Sequence, residues 1–160
     1  MSARYNLTGH LTVPLPADEA FRLFTARGEQ RWAPHWEPRF PAAVADDADP
    51  GTVFETTARG ETTTWTVVDS APPRHIRYAR VTPRTSAGTV TVTLDEAGAH
   101  TEVTVTYELT ALTDTAAVHL RQFAETYPTF LASWQNAITD TLHAENWTSA
   151  NRHDPRTEPN

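Results

Sequence analysis

The sequence contains no cysteine and no lysine, and all 13 of its basic residues are arginine. Without cysteine there is no disulfide framework, thiolate nucleophile, iron–sulfur cluster or cysteine-ligated zinc. Without lysine there is no Schiff-base amine and no phosphate-binding-loop lysine. Basic runs are missing as well, and the formal charge is −7. Such a surface repels phosphate backbones and anionic headgroups, which argues against nucleic-acid partners. Residues 1–16 hold no apolar core of signal-peptide length, and no window approaches the roughly 18 apolar residues of a membrane span. The expectation is a cytoplasmic protein that does not insert into membranes. Arginine without lysine, beside abundant Ala and Thr, fits a GC-rich bacterial genome. The chain also lacks the Gly-x-Ser-x-Gly elbow and the Gly-x-Gly-x-x-Gly fingerprint.

What is present suits one domain. With 160 residues, 39% of them hydrophobic and 21% charged, the chain can bury roughly 70% of its unfolded surface without staples. The expected division is a single domain over 1–147 and a polar tail over 148–160.

Residues 4–13 alternate, with Tyr5, Leu7, Leu11 and Val13 on one face, and predict a half-buried strand. Pro16-Ala17-Asp18-Glu19 opens a short helix whose stripe is Ala20, Phe21, Leu23 and Phe24. Glu29 to Trp32 can form one more turn. The prolines of Trp32-Ala33-Pro34-His35-Trp36-Glu37-Pro38-Arg39-Phe40-Pro41 then forbid a regular helix. Strands follow at 52–58, 62–69, 75–82, 87–95 and 101–110, joined by short turns, which implies an antiparallel meander. In the last two strands Val and Leu alternate with Thr, so one face of the sheet is dry and the other wet. After Thr113, a candidate N-cap, residues 114–146 place Leu120, Phe123, Tyr127, Phe130, Leu131, Trp134, Ile138 and Leu142 on one helical stripe. Pro128 should kink or split that helix near Tyr127.

These elements predict an α+β helix-grip fold: a curved antiparallel sheet of six to seven strands wrapped around a long C-terminal helix, with two short helices after strand 1. A strongly curved sheet is wider than one helix can fill, leaving room for large side chains or a ligand.

Leu23-Phe24-Thr25-Ala26-Arg27-Gly28-Glu29, followed by Trp32, Pro34, Trp36, Pro38 and Phe40, resembles the SRPBCC (START/Bet v 1-like) superfamily, in particular its bacterial polyketide cyclase/dehydrase-like or ligand-binding branch. Glu61 to Trp65, Tyr78 to Pro83 and the spacing Phe123, Tyr127, Trp134, Ile138 extend the resemblance over about residues 5–143. It implies a cavity for lipids, sterols, polyketides or hormones, in some members with cyclisation, dehydration or hydrolysis. No catalytic residue is shared across the superfamily, so none carries over.

The residues themselves nominate candidates. Trp32, Trp36, Trp65, Tyr78, Arg80, Tyr107, Phe123, Tyr127, Phe130 and Trp134 are candidate ligand contacts, and each is equally served by core packing. His35, Glu29 and Tyr107 are the candidate proton-moving groups. A solvated loop histidine and a helix-end carboxylate are the plainer readings of the first two. Arg80 shares parity with Ile76 and Tyr78, so its guanidinium needs a carboxylate from Glu55, from Glu61 or from a ligand, unless it reaches solvent. Gln122 and Thr126 could add polar contacts. Neither His35-x-Glu37 nor His143-x-Glu145 has metal-site spacing, and no metal or cofactor is expected.

Three functions fit: a binder of a hydrophobic polyketide-, lipid- or aromatic-like molecule, a cofactor-free cyclase or dehydratase using the same cavity, and a co-chaperone-like interaction module. A monomer or homodimer is expected.

Overall fold

The computed structural model describes residues 3–152. Strand β1 (Arg4–Val13) is followed by helix α1 (Ala17–Arg22), a 3-10 turn (Gly28–Arg31), β2 (Val53–Ala58), β3 (Glu61–Ala71), β4 (His75–Thr82), β5 (Ser86–Ala97), β6 (His100–Ala111) and helix α2 (Asp114–Arg152). The six strands form one antiparallel sheet in the order β1-β6-β5-β4-β3-β2. With α2 closing over the sheet, this is the helix-grip fold.

The alternation seen in the sequence decides the faces. Leu11, Val13, Val90, Val92, Leu94, Val103, Val105, Tyr107 and Leu109 are all buried. The opposite face carries polar cross-strand pairs, including Thr8 with Thr106, His10 with Thr104, and Thr12 with Glu102. Beta-branched residues suit both faces because they pack well on a pleated surface.

The chain departs from expectation at three places. β3 runs to Ala71 because a bulge between Val67 and Asp69 absorbs an extra residue, leaving Val68 exposed. Pro128 does not split α2, which is helical from Asp114 to Arg152. Pro128 itself faces solvent, while Tyr127 and Leu131 on either side of it are buried against the sheet; that packing holds the helix through the missing N–H. The helix also runs past residue 147 into the segment read as a polar tail, and residues 153–160 of that tail lie outside the described residues.

The start of α2 and its close approach to β1 have local causes. Thr113 caps its start: the Ala116 N–H donates to the Thr113 Oγ1 at 3.1 Å. Gly9 lets β1 approach it, since a Cβ there would lie 2.3 Å from Leu131 Cδ1 and 3.1 Å from Tyr127 Cε2. No helix among the described residues is long and apolar enough to cross a membrane.

Candidate ligand-binding site

Directly opposed residues of antiparallel strands share a face, so the register sorts the concave surface into rows. One row runs Leu7, Tyr107, Val90, Tyr78 and Val67. The next runs Tyr5, Leu109, Gly88, Arg80, Trp65 and Phe54. Helix α2 packs chiefly over β1, and aromatic side chains line the interior between it and the strands further along the sheet.

Those aromatics form two groups. Phe54 stacks on Trp65 at 5.8 Å with an interplanar angle of 3°, and both meet Tyr78 edge-on. Along α2, Tyr107 meets Phe123, Tyr127 and Phe130, and Phe130 meets Trp134. The Pro-rich segment spans the two: Trp32 lies against Trp134, and Trp36 against Trp65 and Phe54. Its indoles are clamped, because Trp32 Nε1 donates to the Leu23 carbonyl at 2.7 Å and Trp36 Nε1 to the Ala26 carbonyl at 2.8 Å. Trp65 Nε1 donates to Thr56 Oγ1 at 2.9 Å. Phe123, Phe130 and Trp134 remain half-buried.

Three polar groups stand among these rings. Glu29 enters from the 3-10 turn, which packs tightly beneath the end of α1: a Cβ on Gly28 would lie 1.5 Å from the Arg22 carbonyl oxygen. Arg31 fastens the same turn to α2 through a bidentate pair with Glu145 at 3.2 and 2.7 Å. Burial raises the Glu29 carboxyl well above the usual carboxylate range, although the residue as a whole is half-buried. Its side chain makes no hydrogen bond among the described residues.

Tyr107 is 5% exposed and its hydroxyl also has no hydrogen-bond partner among the described residues. Burial raises its pKa, the Arg80 charge opposes that rise, and Glu29 and Tyr127 reinforce it. Arg80 completes the group. Its guanidinium lies over the Trp65 ring at 4.8 Å. Nη2 donates to Thr82 Oγ1 at 3.3 Å, and Nε is buried with no acceptor. Burial lowers the Arg80 pKa, partly countered by Tyr107.

The other candidates fall elsewhere. His35 is exposed, with its backbone in the left-handed region at φ 62°, and no hydrogen bond joins it to Glu29 or Tyr107. Tyr78 and Tyr127 sit in the interior with their hydroxyls already used, donating to the Phe24 carbonyl at 2.8 Å and the Val105 carbonyl at 2.7 Å. Burial raises both pKa values, with Glu29 and Asp47 adding to the effect on Tyr78. Gln122 and Thr126 are exposed on α2. The protein carboxylates considered for Arg80 are engaged away from it: Glu55 pairs with Arg39, and Glu61 accepts from Thr85 at 3.0 Å.

A surface depression of about 860 Å³ lies outside this interior, among α1, residues 45–48 and the Pro72-Pro73 turn. Charged groups in its lining satisfy neighbours: Arg27 binds the Val44 carbonyl through Nη2 and Asp47 through its backbone N–H, and Arg31 holds Glu145. It contains none of the aromatic candidates; the ring in its lining is Phe21 of the core.

The profile of the family described as polyketide cyclase/dehydrase and lipid transport matches residues 5–146. The chain belongs to that family. No curated protein matches it. Among solved structures, this family member is similar to Mll3558 from Rhizobium loti at 20% identity and TM-score 0.64, over 86% of this chain and 99% of that one. It is similar to norcoclaurine synthase from Thalictrum flavum at 13% identity and TM-score 0.62, over 88% of this chain and 87% of the synthase. DynU16, a protein of the dynemicin biosynthetic locus, aligns at 14% identity and TM-score 0.63, over 86% of this chain and 47% of DynU16. At these identities the likeness shows the fold.

Proposed function

We propose that the protein binds a hydrophobic small molecule, polyketide-, lipid- or aromatic-like, between the sheet and α2. The observation that carries this reading is the grouping of Arg80, whose buried Nε has no acceptor, with Tyr107 and Glu29, whose side chains make no hydrogen bond among the described residues, inside an aromatic interior. Buried polar groups are ordinarily satisfied, and an unsatisfied one costs about 1–3 kcal/mol. A ligand whose oxygens meet these groups and whose rings replace solvent beside Phe123, Phe130 and Trp134 would offset that cost. Family membership supports the same class of ligand.

Native mass spectrometry of the protein purified from its own host, followed by organic extraction, tests the reading. The expected result is a stoichiometric hydrophobic compound released on denaturation. A protein that is empty and that takes up nothing from lipid or polyketide panels would refute it.

A second reading is a cofactor-free cyclase or dehydratase working in the same place. It is favoured by Glu29, whose carboxyl is held protonated beyond the usual range beside a tyrosine with a free hydroxyl. Glu29 would act as general acid or base, and Tyr107 would donate to a carbonyl or enolate oxygen. Preorganisation in the cavity can accelerate an intramolecular reaction without a nucleophile. The exposed His35 would then serve only as an auxiliary base at the surface. A compound recovered in cyclised or dehydrated form, with its precursor accumulating in a deletion strain, would favour this reading over simple binding.

A further inference from the structure

Arg80 is a half-buried cation among the aromatics of the site, and among the described residues no carboxylate pairs with it. Glu29, the carboxyl of the same site, acts on Tyr107 and not on Arg80. Among the described residues the ion pairs involve Arg31, Arg39, His75, Arg77 and His100, never Arg80. The two carboxylates nearest in the sheet register are engaged elsewhere, Glu55 with Arg39 and Glu61 with Thr85. What Arg80 does have is neutral: the Trp65 face, and one bond to a threonine hydroxyl that also shares a 2.6 Å contact with Thr63. Stacking holds a guanidinium flat while leaving the donors in its plane free to bond. One of those donors, Nε, is buried and unused. Opposite Arg80 on β5 is Gly88, where a Cβ would lie 1.8 Å from the Glu108 carbonyl oxygen, so this β5 residue contributes no polar side chain to Arg80. Tyr107, whose hydroxyl is also unbonded, feels the Arg80 charge from the adjacent row.

Arg80 is half-buried as a residue, but its Nε is enclosed, and an enclosed donor of a charged group left without an acceptor is unfavourable. A guanidinium edge pairs best with a planar two-oxygen anion. We propose that the site selects ligands bearing a carboxylate, an aromatic or polyketide-like acid whose two oxygens meet the Arg80 edge while its rings lie among the site's aromatics. This rests on the binding function proposed above and adds the ligand's charge. Arg80 is then a specificity-determining residue, and the ligand completes its ion pair.

Isothermal titration with two probes of nearly identical shape, 2-naphthoate and its neutral amide 2-naphthamide, tests this near neutral pH. The wild-type protein should bind the carboxylate at least about tenfold more tightly than the amide, since charge-assisted bonds are roughly twice as strong as neutral ones. Arg80→Met should abolish that preference, bringing the affinities for the two probes within about twofold of each other. Arg80→Lys should keep part of it, because it retains charge but not the planar fork. Without ligand, Arg80→Met should unfold at an equal or higher urea concentration than the wild type, because an uncompensated charge has been removed. Equal wild-type affinity for the two probes would overturn the carboxylate inference and leave the binding function standing. Failure of both probes to bind would overturn the two together. A clear drop in the urea midpoint of Arg80→Met would show that Arg80 is a structural prop, and would overturn the inference as well.

Discussion

Gly9 is where α2 and the sheet come closest, and replacing it with alanine probes that contact. The added methyl would sit 2.3 Å from Leu131 Cδ1 and 3.1 Å from Tyr127 Cε2. Neither neighbour is free to move. Leu131 is 2% exposed, and Tyr127 is tethered through its hydroxyl to the Val105 carbonyl at 2.7 Å. Glycine inside a strand is about 0.5–1 kcal/mol worse than alanine, which favours the variant. Inserting a methyl into a packed contact costs about 1–3 kcal/mol. The second effect is larger, so Gly9→Ala should lose on the order of 0.5–2 kcal/mol, or about 1–8 °C in Tm for a chain of this size. Leu131→Ala alone should lose about 2–5 kcal/mol by leaving a cavity. In the double variant the new methyl enters the space Leu131 vacates. The combined loss should therefore fall short of the sum by at least about 0.5 kcal/mol. Urea unfolding followed by circular dichroism measures all four proteins. Gly9→Ala at or above wild-type stability, together with strict additivity in the double variant, would refute the view that this glycine sets the helix–sheet distance.

Glu29 gives a pH signature. Its folded pKa is raised by burial, so the stability it contributes is fully present below the ordinary carboxylate pKa and is lost as pH rises through the folded value. Glu29→Gln should accordingly match the wild type near about pH 4 and exceed it near about pH 8, read from urea midpoints across that range. A wild-type advantage at the higher pH would contradict the burial. Thr113→Ala removes both the cap on the Ala116 N–H and the bond to the Arg84 carbonyl. It should lower unfolding free energy by about 1–2 kcal/mol, and an unchanged thermal midpoint would show that α2 needs no cap.

Most strands were legible because their alternation is nearly unbroken; β1 and β4 begin and end where the sequence pattern puts them. The bulge at Val67/Asp69 was hidden because an extra residue leaves no mark in a run already rich in β-formers. Pro128 misled because helix propensity is local, whereas the burial of Tyr127 and Leu131 is tertiary. Parity with Ile76 and Tyr78 left Arg80 open between the apolar side and solvent; the structure lays its guanidinium over Trp65 while leaving the residue half-buried. The desolvation of Glu29 was missed, although a signal existed. Glu29 lies three residues after Ala26 and three before Trp32, both buried, which is the spacing of one face of a tight turn. Nothing in the sequence revealed that the Tyr78 and Tyr127 hydroxyls would be taken by main-chain carbonyls. Such partners depend on where distant backbone arrives.

The strand order carries a consequence for how the chain closes. Strands β2 to β6 each pair with a sequence neighbour across a short connection. β1, by contrast, waits for β6, joining Val13 to Thr101 and Arg4 to Thr110. Bridging a span near 90 residues rather than a four-residue turn costs about 3 kcal/mol more in loop entropy. Local hairpins form first under such a difference, and the long-range pairing follows. The chain's opening segment is thus the last strand to be fastened, and α2 can seat only on a surface that β1 helps to build. β1 and α2 act as a single clasp, and the aromatic interior between sheet and helix is covered only once that clasp has shut.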